Sequence, residues 1–280
     1  MSGFRGKVAA ITGAGSGIGR ALALELAARG ARLALADWDE DGLRESESLL
    51  EARGAEVVAS RVDVSDRVSV AEFATQTAQR FGSVHQIYNN AGISGNGRTI
   101  LDNDYAAIER VLAVNLWGVI HGTREFLPHL IASRDGHVIN TSSAYGIAAS
   151  PHDGPYSASK FAVRGFTEAL RCEMLLAHHP VAVTVVHPAG VRTKIARSAW
   201  RTEDVTQFSE EEKRRADVYE QKLLTADPSD VARQILAGVE KRRGRVLVAG
   251  AQGIDRLVRL LPEQYPKFVV QFNRRTFGGS

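Results

Sequence analysis

The chain has 280 residues, 44% hydrophobic and 24% charged, proportions of a globular protein that exclude disorder as the main state. Its 35 basic and 32 acidic residues leave a net charge of +3, too weak a balance to imply a nucleic-acid partner. The single cysteine, Cys172, excludes an intramolecular disulfide framework and a thiolate zinc cluster, and no metal site is expected.

Short apolar runs alternate with helical patterns, which predicts an α/β fold: a doubly wound parallel sheet of about seven strands with helices on both faces. The predicted strands are Val8–Ile11, Arg32–Ala36, Glu56–Val62, His85–Asn89, His137–Asn140, Val181–His187 and Arg245–Val248. Helices are predicted over Ile18–Arg29, Glu40–Arg53, Arg67–Phe81, Asp104–Trp117, Thr123–Ser133 and Tyr156–His178. Gly30, Gly54 and Gly82 stop the first three. The charge-rich stretch Asp204–Gln221 interrupts the approach to the last strand and reads as a lid over one edge of the sheet, or as a solvated helix. No repeat or linker is visible, so one domain over 1–280 is expected, with a lid at about 191–225 and a C-terminal extension at about 250–280. No secretory leader pattern follows Met1–Lys7. The longest uncharged stretch, Met174 to Val191, holds three histidines and two prolines and is no membrane span. A cytoplasmic protein is expected.

Thr12-Gly13-Ala14-Gly15-Ser16-Gly17-Ile18-Gly19 lies between the first strand and the first helix. Glycines there let the backbone approach a pyrophosphate, and the helix N-terminus offers free N–H groups and partial positive charge. Gly13, Ser16, Gly17, Ile18 and Gly19 are the candidate phosphate contacts. Asp37 ends the second strand, 18 residues beyond Gly19, where a carboxylate accepts ribose hydroxyls and repels a 2′-phosphate. Its neighbour Trp38 supplies no cation for such a phosphate, so NAD is favoured over NADP. Asp37 could instead cap the next helix, and Asp63, ending the third strand, could reach the adenine edge or shape a turn.

Tyr156 and Lys160 are spaced i, i+4 and share a helix face. An adjacent ammonium would stabilise a phenolate, and a phenolate can remove a hydroxyl proton as hydride leaves the same carbon. Thr141-Ser142-Ser143 closes the fifth strand and Asn89-Asn90-Ala91-Gly92 the fourth, both at the carboxyl edge where open α/β sheets bind ligands.

Together these residues resemble the short-chain dehydrogenase/reductase family, from roughly Lys7 to Lys194 and more weakly to Val248. The motifs are TGAGSGIG at Thr12–Gly19, Asp37, Asp63-Val64, NNAG at Asn89–Gly92, Asn115, Ser143, YSASK at Tyr156–Lys160, and Pro188 to Thr193 after the sixth strand. The resemblance implies a Rossmann-type fold and a nicotinamide cofactor. It implies Tyr156 as general acid/base, and Lys160 binding the nicotinamide ribose and lowering the Tyr156 pKa. Ser143 is implied to bond the substrate oxygen, with Ser142 as its adjacent competitor. Asn115 would hold a relay water, or else be a helix-kinking amide bonded to backbone. Asn89, Ala91 and Gly92 would line the cofactor cleft, with Asp63 and Val64 at the adenine end, and Pro188, Gly190, Val191 and Thr193 beside the nicotinamide. The family often has Pro-Gly after the sixth strand; here Ala189 follows Pro188, and Gly190 could restore the turn.

The expected activity is NAD-dependent interconversion of a secondary alcohol and a ketone. The alternatives are the same chemistry with NADP, or a non-catalytic nucleotide sensor. Pocket segments are expected at Ile93–Arg98, Ala144–His152 and Arg192–Ala216. They offer Ile93, Tyr145, Ile147, Ile195 and Trp200 for an apolar substrate, and Arg192, Lys194, Arg197 and Arg201 for an anion. His152 is a further candidate contact. Ile254, Leu257, Val258 and Leu261 share a helical face, and Phe268 to Phe272 follow. This tail is expected to pack on the domain or a subunit interface, with membrane-surface contact as the other reading. A homodimer or homotetramer is expected.

Overall fold

The computed structural model describes residues 3–197 and 210–278. In chain order the elements are β1 (Val8–Thr12), α1 (Gly17–Ala28), β2 (Arg32–Asp37), α2 (Glu40–Glu51), β3 (Val57–Arg61), α3 (Arg67–Phe81), β4 (Gln86–Asn89) and α4 (Tyr105–Leu112). A π-helical turn, Ala113–Trp117, joins α4 directly to α5 (Gly118–Ala132). Then come β5 (Gly136–Thr141), α6 (Gly154–Leu176), β6 (Val181–Pro188), α7 (Glu210–Lys222), α8 (Pro228–Glu240), β7 (Arg245–Val248), α9 (Ala251–Leu260) and α10 (Tyr265–Phe277).

The seven strands form one parallel sheet in the order β3-β2-β1-β4-β5-β6-β7. Alternate strand residues feed two cores. Ala9, Ile11, Leu33 and Leu35 face α1, α2 and α8 through Leu22, Leu26, Leu50, Ile235 and Leu236. Val8, Ala10, Ile87 and Val138 face α3, α5 and α6 through Phe73, Phe126, Leu130 and Leu170. The sheet is therefore buried on both sides, which is why its strands read as continuous apolar runs. The Rossmann-type fold expected from sequence is the fold observed. The chain changes direction across the sheet between β1 and β4, opening a crevice at their carboxyl ends.

Two elements differ from expectation. The helix expected to begin at Thr123 begins at Gly118. Gly118 and Gly122 sit inside it because the helix closes on β4: a Cβ on Gly122 would stand 2.0 Å from Asn89 Oδ1, and one on Gly118 2.8 Å from Val64 Cγ2. Helix α8 was not predicted at all. Its signal is present, with Asp227 capping through the Ser229 N–H, Pro228 in the first turn, and Val231, Ile235 and Val239 on one face. Of the lid expected at about 191–225, residues 198–209 lie outside the described residues, and the remainder includes a short 3-10 turn at Lys194–Arg197 and α7.

Candidate active site

The glycine-rich turn is held open by close backbone packing. A Cβ on Gly19 would lie 2.0 Å from the Gly13 carbonyl oxygen, so only glycine lets α1 start there. Gly17 has φ +53°, and Thr193 is packed against its missing side chain. This brings the segment after β6 beside the α1 N-terminus. Ser16 is the N-cap of α1, yet its side chain makes no capping bond. The first turn thus keeps unpaired N–H groups where a phosphate would sit, and Ile18 lies in that same turn.

Asp37 lies at the end of β2, where its Oδ2 accepts from Gly15 N at 2.7 Å and its Oδ1 from Asp39 N at 2.9 Å. Burial pushes its carboxyl up, against the backbone bonds that pull it down. The cap of α2 is Asp39, which accepts from Gly42 N, so capping does not explain Asp37. Trp38 is exposed, and Arg61 of β3 lies over its ring at 4.1 Å. Sequence reading missed this cation because the register of β2 and β3 supplies it.

Asp63 Oδ1 accepts from both the N–H and the hydroxyl of Ser65, which makes it a turn former. Val64 is buried and its carbonyl bonds the His121 ring. The Asn89 side chain is turned away from the cleft, donating to Thr123 and Asn140 in the layer beneath β4. That corrects its expected place. Asn90 instead ties the turn to β1, donating to the Thr12 carbonyl, while the Thr12 hydroxyl accepts from the N–H groups of Asn90 and Ala91. Gly190 has φ +55°, and the Leu223 carbonyl leaves no room for a side chain there. Gly190 thus makes the turn that follows Pro188 and Ala189. Val191 is buried and bridges Ala226.

The catalytic candidates converge at the carboxyl ends of β4 and β5. Ser142 is buried and its hydroxyl donates to the Lys160 carbonyl. Ser143 is half-buried, its hydroxyl accepting from Tyr145 N at 3.1 Å and bonding the Tyr156 side chain. His187 Nδ1 lies 2.9 Å from the Ser143 carbonyl and fixes that turn. Lys160 is buried, and its Nζ donates to the Thr141 carbonyl and stands 5.6 Å from the Tyr156 ring centre. Burial lowers the Lys160 pKa to about 8, which leaves it mostly charged at neutral pH. The Tyr156 phenol is pushed up, with burial the leading cause and Asp153 and Tyr145 adding to it. The expected lowering by Lys160 is thus not the dominant influence in the protein alone; only the Ser143 bond pulls the phenol down.

Asn115 sits in the π-helical turn. Its side chain accepts from Ile93 N and donates to the Ile93 carbonyl and the Ser159 hydroxyl, which itself donates to the Tyr156 carbonyl. The backbone-bonded amide is therefore present; both amide N–H groups are used, and Oδ1, which accepts one bond, keeps a second lone pair. Gly92 lies against this pair: a Cβ there would be 3.1 Å from Asn115 Oδ1 and 3.4 Å from Lys160 Nζ.

Beside Tyr156 opens a cavity of about 110 Å³. Tyr145, His152 and Ile195 line it as expected. Ile147 is buried in the interior, Ile93 is not among the lining residues, and Arg192 pairs with Asp227 at the surface. Trp200 and Arg201 lie outside the described residues, as does the Arg197 side chain. Arg215 also lines it, within the expected segment Arg192–Ala216, whereas sequence reading missed Asp153 and Tyr219, and Asn273 and Phe277 of α10. The tail, expected to pack on the domain or at an interface, packs on the domain, where α10 forms a wall of the cavity. Among the described residues no helix is long and apolar enough to cross a membrane, and no cluster of His, Cys, Asp and Glu could hold a metal.

The sequence profile of the short chain dehydrogenase family matches residues 7–204. Oxidoreductase SadH of Mycobacterium tuberculosis is 48% identical over 270 residues, 96% of either chain. A short chain dehydrogenase/reductase from Burkholderia phymatum, solved in complex with NAD, superposes with a TM-score of 0.84 at 34% identity, covering 97% of both chains. A metagenomic short-chain oxidoreductase solved with NADP gives 0.70 at 29% identity, over 87% of this chain and 97% of that one. With the parallel sheet, the glycine-rich turn and the clustered Ser143, Tyr156 and Lys160, these likenesses lead to one conclusion: the chain belongs to the short-chain dehydrogenase family and is an oxidoreductase.

Proposed function

We propose that the protein interconverts a secondary alcohol and a ketone with NAD as cofactor. The observation that carries this reading is the meeting of Ser143, Tyr156 and Lys160 at the carboxyl ends of β4 and β5, with Tyr156 lining the cavity. Bound along the crevice, the nicotinamide would supply hydride acceptance and donation. Gly13, Ser16, Gly17, Ile18 and Gly19 would hold its phosphates, Asp37 its adenosine ribose, and Lys160 its second ribose. Ser143 and Tyr156 orient the substrate oxygen, and Tyr156 takes the hydroxyl proton in oxidation and returns it in reduction. In a Tyr156→Phe variant turnover of a secondary alcohol should fall by roughly 10²–10⁴, with the far-ultraviolet spectrum unchanged. Turnover close to the parent's would sink the assignment.

Asp37 supports NAD, and Arg61 over Trp38 favours NADP as a second reading. Dissociation constants separate them. NAD should bind more tightly than NADP, and Arg61→Ala should leave NAD binding unchanged. Tighter NADP binding that Arg61→Ala abolishes would reverse the order. The same reading takes 1–280 as one domain, with a lid at about 191–225, acting in the cytoplasm as a homodimer or homotetramer. The exposed Phe268 and Phe272 support an assembly face.

A further inference from the structure

Five helices among the described residues have an aspartate at the N-cap. Asp39, Asp66, Asp104 and Asp227 each accept a backbone N–H of their own helix. Asp153, at the head of α6, does not. The local cause is readable: Pro155 occupies the first turn and removes one of the N–H groups a cap would bond, and His152 is held at φ +65°. Asp153 instead lines the cavity with Tyr156, three residues on, close enough for its charge to act on the phenol, and its Oδ1 faces Gly95.

The groups that face it come from each neighbouring element. Tyr145 follows β5, and its ring meets that of Tyr156 edge to face at 5.9 Å. Arg215 and Tyr219 face it from α7, and His152 precedes it in the chain. Gly95 approaches from the loop after β4, and α10 contributes the uncharged Asn273 and Phe277. Arg215 is the counter-charge. It also pins α7, bonding His152 Nε2 at 2.8 Å and lying over the Phe277 ring at 5.4 Å.

We propose that Asp153 is a positioning residue for the reaction, one whose charge beside Tyr156 sets the pH at which that phenol exchanges its proton with substrate, with Arg215 as its partner. The inference rests on the reading of Tyr156 as the acid/base. An ionised carboxylate in an enclosed cavity opposes a second negative charge on the phenol, and Arg215 offsets that opposition. Burial lifts the Asp153 carboxyl to about 7, with Arg215 pulling it down. The field at Tyr156 therefore changes near neutrality.

Two measurements test it on the full-length protein. In the first, ¹³C-carboxyl NMR of aspartate-labelled protein should show one resonance, missing in Asp153→Asn, that titrates near neutrality. Its midpoint should rise in Arg215→Gln. A midpoint in the ordinary carboxylate range, or one indifferent to Arg215, overturns the proposal, and this arm needs no turnover. In the second, pH profiles of NAD-dependent oxidation are recorded with 1-phenylethanol and cyclohexanol as probes. Asp153→Asn should move the acid limb to lower pH by about one unit, because the phenolate forms more easily. A merely structural role would lower the plateau and leave the limb in place, and that result also overturns the proposal. An active Tyr156→Phe variant would sink the assignment of Tyr156 while leaving the NMR titration standing. An inactive Tyr156→Phe beside an unmoved limb sinks Asp153 alone.

Discussion

Ser142 and Ser143 are neighbours with opposite roles. The Ser142 hydroxyl is buried and used by the Lys160 carbonyl, so it braces the helix that carries the tyrosine. The Ser143 hydroxyl bonds the Tyr156 side chain, which lines the cavity. Ser142→Ala should lower stability by about 1 kcal/mol and leave turnover per folded molecule near the parent's. Ser143→Ala should reduce kcat/KM by roughly 10²-fold, with a loss of stability no larger than that of Ser142→Ala. Thermal melts and initial rates on the two variants check both. Asp37 gives a second lesson at this scale. It ends its strand two residues before the true cap, Asp39, and sequence alone left the two roles open.

Among the elements, the strands were the most legible, because each is a short apolar run bounded by turns. Arg245–Val248 was found residue for residue, and the others within two residues. Helix α5 was misplaced because its glycines serve close packing against β4 and Val64, which a sequence cannot distinguish from a break. The cavity walls were least legible. Arg215 stands in a run of charges that reads equally as a lid or as a solvated helix, and α10 begins more than a hundred residues after Tyr156. Their placement is set by packing of distant segments, so no local period announces it. The wall made by α10 has a measurable consequence. Phe277→Ala should raise KM for a secondary alcohol roughly tenfold while kcat stays within a factor of two, since the lost contact serves binding in ground and transition states alike. A fall in kcat with KM unchanged would mean that α10 acts on the chemistry instead.

For the molecule as a whole, two interior histidines link the sheet to pH. His137 reaches Thr184 across β5 and β6, and burial depresses its pKa to about 3. His187 is depressed to about 4, again by burial. Both are neutral when folded and would gain a proton near pH 6.5 when unfolded. The unfolded chain thus binds more protons below that point. Stability is full above about pH 6.5 and declines as pH falls toward 4. Urea midpoints at pH 7.5, 6 and 5 should fall in that order, and His137→Asn should flatten the decline. A midpoint indifferent to pH would contradict the assignment. The cavity lining carries a different message, about inheritance. It draws on five separated stretches of chain, the earliest at Ser94, whereas the glycine-rich turn, Asp37 and Gly92 all precede it. The first third of the chain, with the proposed phosphate and adenosine contacts, can therefore diverge at a different rate from the rest, which carries the cavity walls together with the proposed nicotinamide contacts. A chimera that takes residues beyond Gly92 from a relative should bring that relative's substrate range with it.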